Sequence, residues 1–156
     1  KDALWKALLD DRIDVIATDH APHTLEEKIN PYMTCPSGGP LVQHAVVAMF
    51  EAHHQGKISV EKIVEKMCHN PAKIFKIEKR GFIKEGYYAD IAIVNAYLPW
   101  NVKKENILYK CGWSPFEGYN FKSRVTHTFV NGKLVYHNGK VKDVKVGQRL
   151  LFEREV

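Results

Sequence analysis

The chain has 156 residues, 45% apolar and 26% charged, with a net charge of +5, the make-up of a folded globular protein rather than a disordered one. Its longest purely apolar run covers residues 45–50 and its basic residues never cluster beyond adjacent pairs, so neither a membrane span of roughly 20 residues nor a nucleic-acid surface is indicated. Cys35, Cys68 and Cys111 are odd in number and without a CxxC pair, which predicts free thiols in a cytoplasmic setting rather than a disulfide framework or zinc finger.

In chain order, the first residue is Lys1 and a helical pattern is under way by Ala3, which predicts a piece of a longer polypeptide. Asp2 can cap this helix, with Ala3, Leu4, Ala7 and Leu8 on one face. Residues 14–18 then predict a short buried strand, because Val15 and Ile16 are β-branched and the apolar run is too short for a helix. Asp19 falls at its carboxyl end. Pro22 fixes φ and lacks a donor, so His23 is expected on a turn. Residues 19–38 lack periodicity and predict a long loop of the kind that carries function.

Gly38-Gly39-Pro40 is expected to open a second helix, with Leu41, Val42, Ala45, Val46, Met49 and Phe50 inward and Gly56 ending it. Ser59 caps a third helix through Cys68, and Asn70-Pro71 starts one more short turn over residues 72–75. Helix, strand and helix in this rhythm predict an α/β protein. After Gly81 the pattern becomes β. Residues 90–94 predict a strand, and the Asn131-Gly132 and Asn138-Gly139 pairs predict a meander of strands 125–130, 133–137 and 140–144. Residues 97–123 are aromatic-rich and irregular, and read as a long connection that packs against a neighbouring element. His44, His53, His54 and His69 lack metal-ligand spacing, and His127 and His137 lie on the meander, so none is expected to carry chemistry.

Ile13-Asp-Val-Ile-Ala-Thr-Asp-His-Ala-Pro-His-Thr-Leu-Glu-Glu-Lys28 resembles the last barrel strand and following loop of the dihydroorotases, within the amidohydrolase superfamily. Asn70-Pro-Ala-Lys-Ile-Phe75, Gly81-Phe-Ile-Lys-Glu-Gly86 with Ala89-Asp-Ile91, and Trp113-Ser-Pro-Phe116 followed by Thr128-Phe-Val-Asn-Gly132 extend the resemblance over nearly the whole chain. It implies that residues 1–75 form the last strand and closing helices of a (β/α)8 barrel and residues 76–156 the carboxyl-terminal segment of a small β-sandwich domain. It further implies a zinc-dependent cyclic amidohydrolase that interconverts dihydroorotate and N-carbamoyl-aspartate, a step in pyrimidine biosynthesis. Asp19 is then a metal ligand and proton carrier, and His23, Ser37 and Gly38 contact the substrate.

That placement agrees with a general rule, since barrel enzymes put their chemistry at the carboxyl ends of the strands. Gly38 and Gly39 precede a helix start and lack side chains, so their amides can approach a carboxylate or imide oxygen closely. His20 is expected to support the site rather than ligate. The expected partners are a small-molecule substrate, the rest of the same polypeptide and a second copy in a homodimer, without nucleic acid or membrane.

Three positions depart from the pattern. Ser37 stands where many relatives have Phe, residues 39–44 lack the Gly-Leu-Glu-Thr series, and Ser123 replaces a frequent Gly. No HxH pair occurs in the chain, so one zinc ligand of about six is present and the piece is expected to be inactive alone. Two alternatives share these residues: a hydantoinase or allantoinase-type cyclic amidase, and a catalytically silent dihydroorotase-like scaffold subunit.

Overall fold

The computed structural model describes residues 1–153. It is mixed α/β and divides into two compact units, neither contiguous in sequence. Of these, residues 1–16, 52–95 and those from 125 to 153 make the first unit, and residues 17–51 and 96–124 the second.

In the first unit, α1 (Asp2–Leu9) buries Leu8. Helix α4 (Val60–Val64) starts where Ser59 Oγ accepts the Lys62 N–H at 3.1 Å, as the sequence predicts. Helical backbone then runs on without a break through a π-helical turn, Glu65–His69, into α5 (Asn70–Ile74). Pro71 was expected to start a separate turn. The π turn explains the continuity, because a local i to i+5 register absorbs the missing N–H and the ring bulk of a proline. Gly81 packs on this helix at φ 78, where a Cβ would sit 2.4 Å from Ala72 Cβ, so only glycine fits.

The same unit holds a four-stranded sheet in the order β1-β4-β5-β6, from β1 (Ile91–Asn95), β4 (Arg124–Val130), β5 (Lys133–His137) and β6 (Lys140–Val141). Strands β4, β5 and β6 pair antiparallel, with an irregularity at Thr128/Phe129. Asn131, Gly132, Asn138 and Gly139 all have positive φ, which gives the two-residue turns that suit a right-twisted hairpin. The meander therefore follows the prediction, except that β6 ends at Val141, beyond which the Lys142 N–H still donates to the Val135 carbonyl at 2.8 Å. Arg80 pairs with Asp90, donates to Asn131 Oδ1 at 2.8 Å and lies over the Tyr88 ring.

Residues 14–18 form no ladder among the described residues, where the sequence predicts a strand. A parallel strand needs a neighbour reached by a crossover, and among the described residues this segment has none. It is held instead by the helix. Lys66 Nζ donates to the Ile13 carbonyl at 2.6 Å, Asn70 Nδ2 to the Asp14 carbonyl at 2.8 Å, and the Ile16 N–H to the Lys66 carbonyl at 3.1 Å. The Lys66 side chain is 1% exposed and also pairs with Asp11 at 2.9 Å. Lys62, first, and Lys66 hold the Asp11 carboxyl down at about 2.

In the second unit, α3 (Ala45–His54), whose last three residues continue into the first unit, begins well after Pro40. The expected first turn is displaced because its amides are taken by side chains. Leu41 and Val42 N–H donate to His20 Nδ1 at 3.0 and 3.3 Å, and Gln43 N–H donates to the Tyr109 hydroxyl at 2.9 Å. Gly56 follows the helix at φ 69 and stops it as predicted. Residues 97–123 are more ordered than expected. They contain the antiparallel pair β2 (Trp100–Asn101) and β3 (Asn120–Phe121), and a 3-10 turn, Lys104–Asn106. His44, Val47, Val102, Tyr109, Phe121 and Ser123 form the core of this unit. Among the described residues no helix is long and apolar enough to cross a membrane.

Candidate active site

Asp19 leaves the extended segment at φ 45, a left-handed conformation that aspartate tolerates at some cost. Its side chain is exposed. Strained, exposed polar residues at the end of an extended run are where sites are built. The next residue behaves differently. His20 Nδ1 accepts two backbone N–H groups, so the neutral ring carries its proton on Nε2 and has no lone pair left for a metal. His20 is thus a support, and it ties the start of the loop to its end.

The residues expected to contact substrate are brought around this turn. The Ala21 N–H donates to the Gly39 carbonyl at 3.2 Å, and His20 and Gly39 form a parallel bridge. Gly38 has φ +89, and a Cβ there would sit 2.5 Å from Ala21 Cβ, so both its conformation and its packing require glycine. Ser37 beside it is exposed. His23 closes a tight turn over Pro22 through its N–H to the Ala21 carbonyl at 2.9 Å. Its Nδ1 lies 3.5 Å from Glu27 Oε2. Asp19, His23 and Gly38 therefore belong to one turn and its packing partner.

The intervening loop is not irregular throughout. Residues Leu25–Lys28 form α2 with a reciprocal capping box: Thr24 Oγ1 accepts the Glu27 N–H and Glu27 accepts the Thr24 N–H at 2.8 Å. The Thr24 backbone, first, lowers the Glu27 pKa. The Thr-x-x-Glu spacing announces this cap in the sequence. Lys28 Nζ donates to the Pro36 carbonyl at 2.6 Å, and Cys35 Sγ lies 3.4 Å from the Lys28 carbonyl, so Cys35 packs the loop against itself.

Two contacts have no signal in local sequence. Trp113 Nε1 donates to the His23 carbonyl at 2.8 Å. His44 is fully buried among Trp100, Tyr109, Phe116 and Phe121, with Nδ1 3.0 Å from the Tyr109 hydroxyl. That hydroxyl also receives the Gln43 N–H, and Ser114 Oγ lies 3.3 Å from the same His44 Nδ1. His44 Nε2 has no hydrogen-bond partner among the described residues. Burial pushes the His44 pKa down to about 4.

Among the described residues no group of three or more His, Cys, Asp or Glu converges on a point that could hold a metal. Asp19 is an exposed carboxylate at the expected position. A hard oxygen donor of this kind fits zinc as a single ligand.

The amidohydrolase family model matches residues 1–135. Dihydroorotase from Pyrococcus furiosus is 39% identical over 149 residues, covering 96% of this chain and 34% of its own length. Dihydroorotase from Endomicrobium trichonymphae is 42% identical over 137 residues, covering 86% and 32%. The solved structure of the L-hydantoinase (dihydropyrimidinase) from Arthrobacter aurescens superposes with a TM-score of 0.80 at 28% identity, over 89% of this chain and 32% of that one. The chain thus spans about a third of the length of the relatives it matches. With that family model matching residues 1–135, the chain belongs to the amidohydrolase family.

Proposed function

We propose that the chain forms part of a dihydroorotase, with Asp19 as metal ligand and proton carrier and His23, Ser37 and Gly38 as substrate contacts. The observation that supports this most is the Asp19 turn, where a carboxylate in the left-handed region stands beside a histidine already committed to backbone amides. In this reading residues 1–75 contribute the end of a (β/α)8 barrel and residues 76–156 a β-sandwich segment. The other metal ligands come from outside these 156 residues.

When bound, zinc supplies Lewis acidity and brings the pKa of water near 7. Asp19 takes a proton from the attacking water and passes it to the ring nitrogen as the amide C–N bond breaks, so that N-carbamoyl-aspartate leaves. His23 and the Gly38 backbone hold the substrate's anionic and imide oxygens during this transfer. The setting is cytoplasmic, the partner a small anionic substrate, and the assembly a homodimer.

The test uses the intact protein that carries this chain. Asp19→Asn keeps the shape and removes the proton acceptor, so ring opening of dihydroorotate is expected to fall at least about 100-fold. Asp19→Ala is expected to lose bound zinc as well, read by elemental analysis. Full activity in either variant overturns the assignment. The hydantoinase likeness favours a second reading, a cyclic amidase for hydantoin-type rings. Turnover of hydantoin or allantoin without turnover of dihydroorotate would establish it instead, and turnover of none of them points to a silent scaffold.

A further inference from the structure

We propose that Trp113 is a positioning residue for the candidate substrate loop, holding His23 and the Gly38-Gly39 turn in one register; this rests on the reading of His23 and Gly38 as substrate contacts. Trp113 follows the turn closed by the Gly112 N–H to the Tyr109 carbonyl at 3.0 Å, with Gly112 at φ 71. The turn presents a single indole to two separate backbone stretches. Its Nε1 donates to the His23 carbonyl at 2.8 Å, while its Cη2 edge lies 3.8 Å from where a Cβ on Gly39 would sit. One flat, rigid side chain therefore spans the gap between the first and last parts of the loop.

The His23 backbone is tied on both sides as a result. Its N–H closes on Ala21 and its carbonyl on Trp113, which leaves the imidazole to be aimed by χ angles alone beside Glu27. Deleting the indole donor frees the His23 carbonyl. Gly38 remains packed on Ala21, and the two contact points are then joined through the Ala21 to Gly39 bond and the His20 bonds to Leu41 and Val42, none of which holds the His23 carbonyl. The same connection grips the residues after the loop: Gln43 Nε2 donates to the Asn106 carbonyl and the Leu108 N–H donates to Gln43 Oε1, each at 2.8 Å. Residues 106–113 thus act as a template against which both ends of the loop are set.

A residue that only orients ground-state contacts changes binding and transition-state stabilisation equally, so it alters KM and leaves kcat in place. In the intact protein, Trp113→Phe keeps an aromatic ring at this position, deletes the donor and shortens the reach to Gly39. KM for dihydroorotate is expected to rise about tenfold, the effect of one lost hydrogen bond, with kcat within about twofold. In His23→Ala the same substitution is expected to add little, because Trp113 acts through His23. An unchanged KM, a fall in kcat alone, or additive effects in the double variant overturns the proposal.

A second measurement needs no substrate. Hydrogen exchange of peptides covering residues 20–39 is expected to speed up about tenfold in Trp113→Phe while residues 124–141 stay unchanged. Unchanged exchange in 20–39 overturns the positioning role, even if the wild-type protein turns over no dihydroorotate and the functional reading itself fails.

Discussion

Residues 14–18 and strand β4 carry the same signal, β-branched and apolar side chains bounded by turn formers, yet only β4 sits in a ladder. Strand β4 finds β5 across a two-residue turn, where closing the loop costs little and each residue fixed gains a backbone hydrogen bond. Residues 14–18 have no strand beside them among the described residues and are held at their start, where Lys66 and Asn70 reach the Ile13 and Asp14 carbonyls and the Ile16 N–H reaches the Lys66 carbonyl. A strand-like composition therefore predicts extended backbone in both places. What satisfies that backbone depends on which partners the chain brings near, and here a helix and two polar side chains do what a ladder does elsewhere.

The largest expected effect follows from removing that substitute. Lys66→Ala deletes a buried stem, its bond to Ile13 and its pairing with Asp11, and is expected to cost about 4 kcal/mol in urea denaturation. Lys66→Met keeps most of the stem and loses only the polar contacts, for about 2 kcal/mol. If Lys66→Met matches the wild type, the segment is held by packing alone and the contrast with β4 disappears.

A pH effect sharpens the comparison at the other side-chain-held segment, residues 41–44. Burial holds His44 at about 4 in the folded protein against an ordinary value near 6.5. Between these values the unfolded chain binds more protons, so the fold is destabilised as pH falls. Stability is fully present above about 6.5, declines through the window and levels off below about 4, by about 3 kcal/mol in all. His44→Gln cannot titrate there, and its urea midpoint is expected to change much less over the same range. Equal slopes for both proteins would assign the loss to other groups.

Local signals made the regular elements legible. Ser59 marks the start of α4, Gly56 the end of α3, and the Asn-Gly pairs give the β4-β5-β6 turns close to their true positions. The proposed site residues, Asp19 through Gly38, were read from a motif, and Gly38 needs both its φ and its missing Cβ. The late start of α3 was not, because it depends on His20 and Tyr109 taking amides that a helix turn would otherwise use, and Tyr109 lies 66 residues from Gln43. Trp113 was hidden for the same reason, being 90 residues from His23. Side-chain hydrogen bonds to distant backbone leave no periodicity behind.

The smallest effect separates two turns that are identical as dipeptides. Asn131 and Asn138 have φ 50 and 46 and each is followed by a glycine at positive φ. Asn131, however, accepts from Arg80 and donates to the Val146 carbonyl at 2.6 Å, whereas the contact of Asn138 is an exposed one with the adjacent His137. Glycine suits both backbones, so Asn138→Gly is expected to change stability by less than about 0.5 kcal/mol. Asn131→Gly loses the two side-chain bonds and is expected to cost about 1 to 2 kcal/mol more. Denaturation midpoints of the two variants, measured side by side, decide whether the first turn is closed by its dipeptide or by the polar side chains around it. Equal midpoints would mean that the dipeptide suffices and that the Arg80 and Val146 contacts add nothing, and a lower midpoint for Asn131→Gly places the same kind of side-chain clamp at the end of a ladder that holds residues 14–18 in place of one.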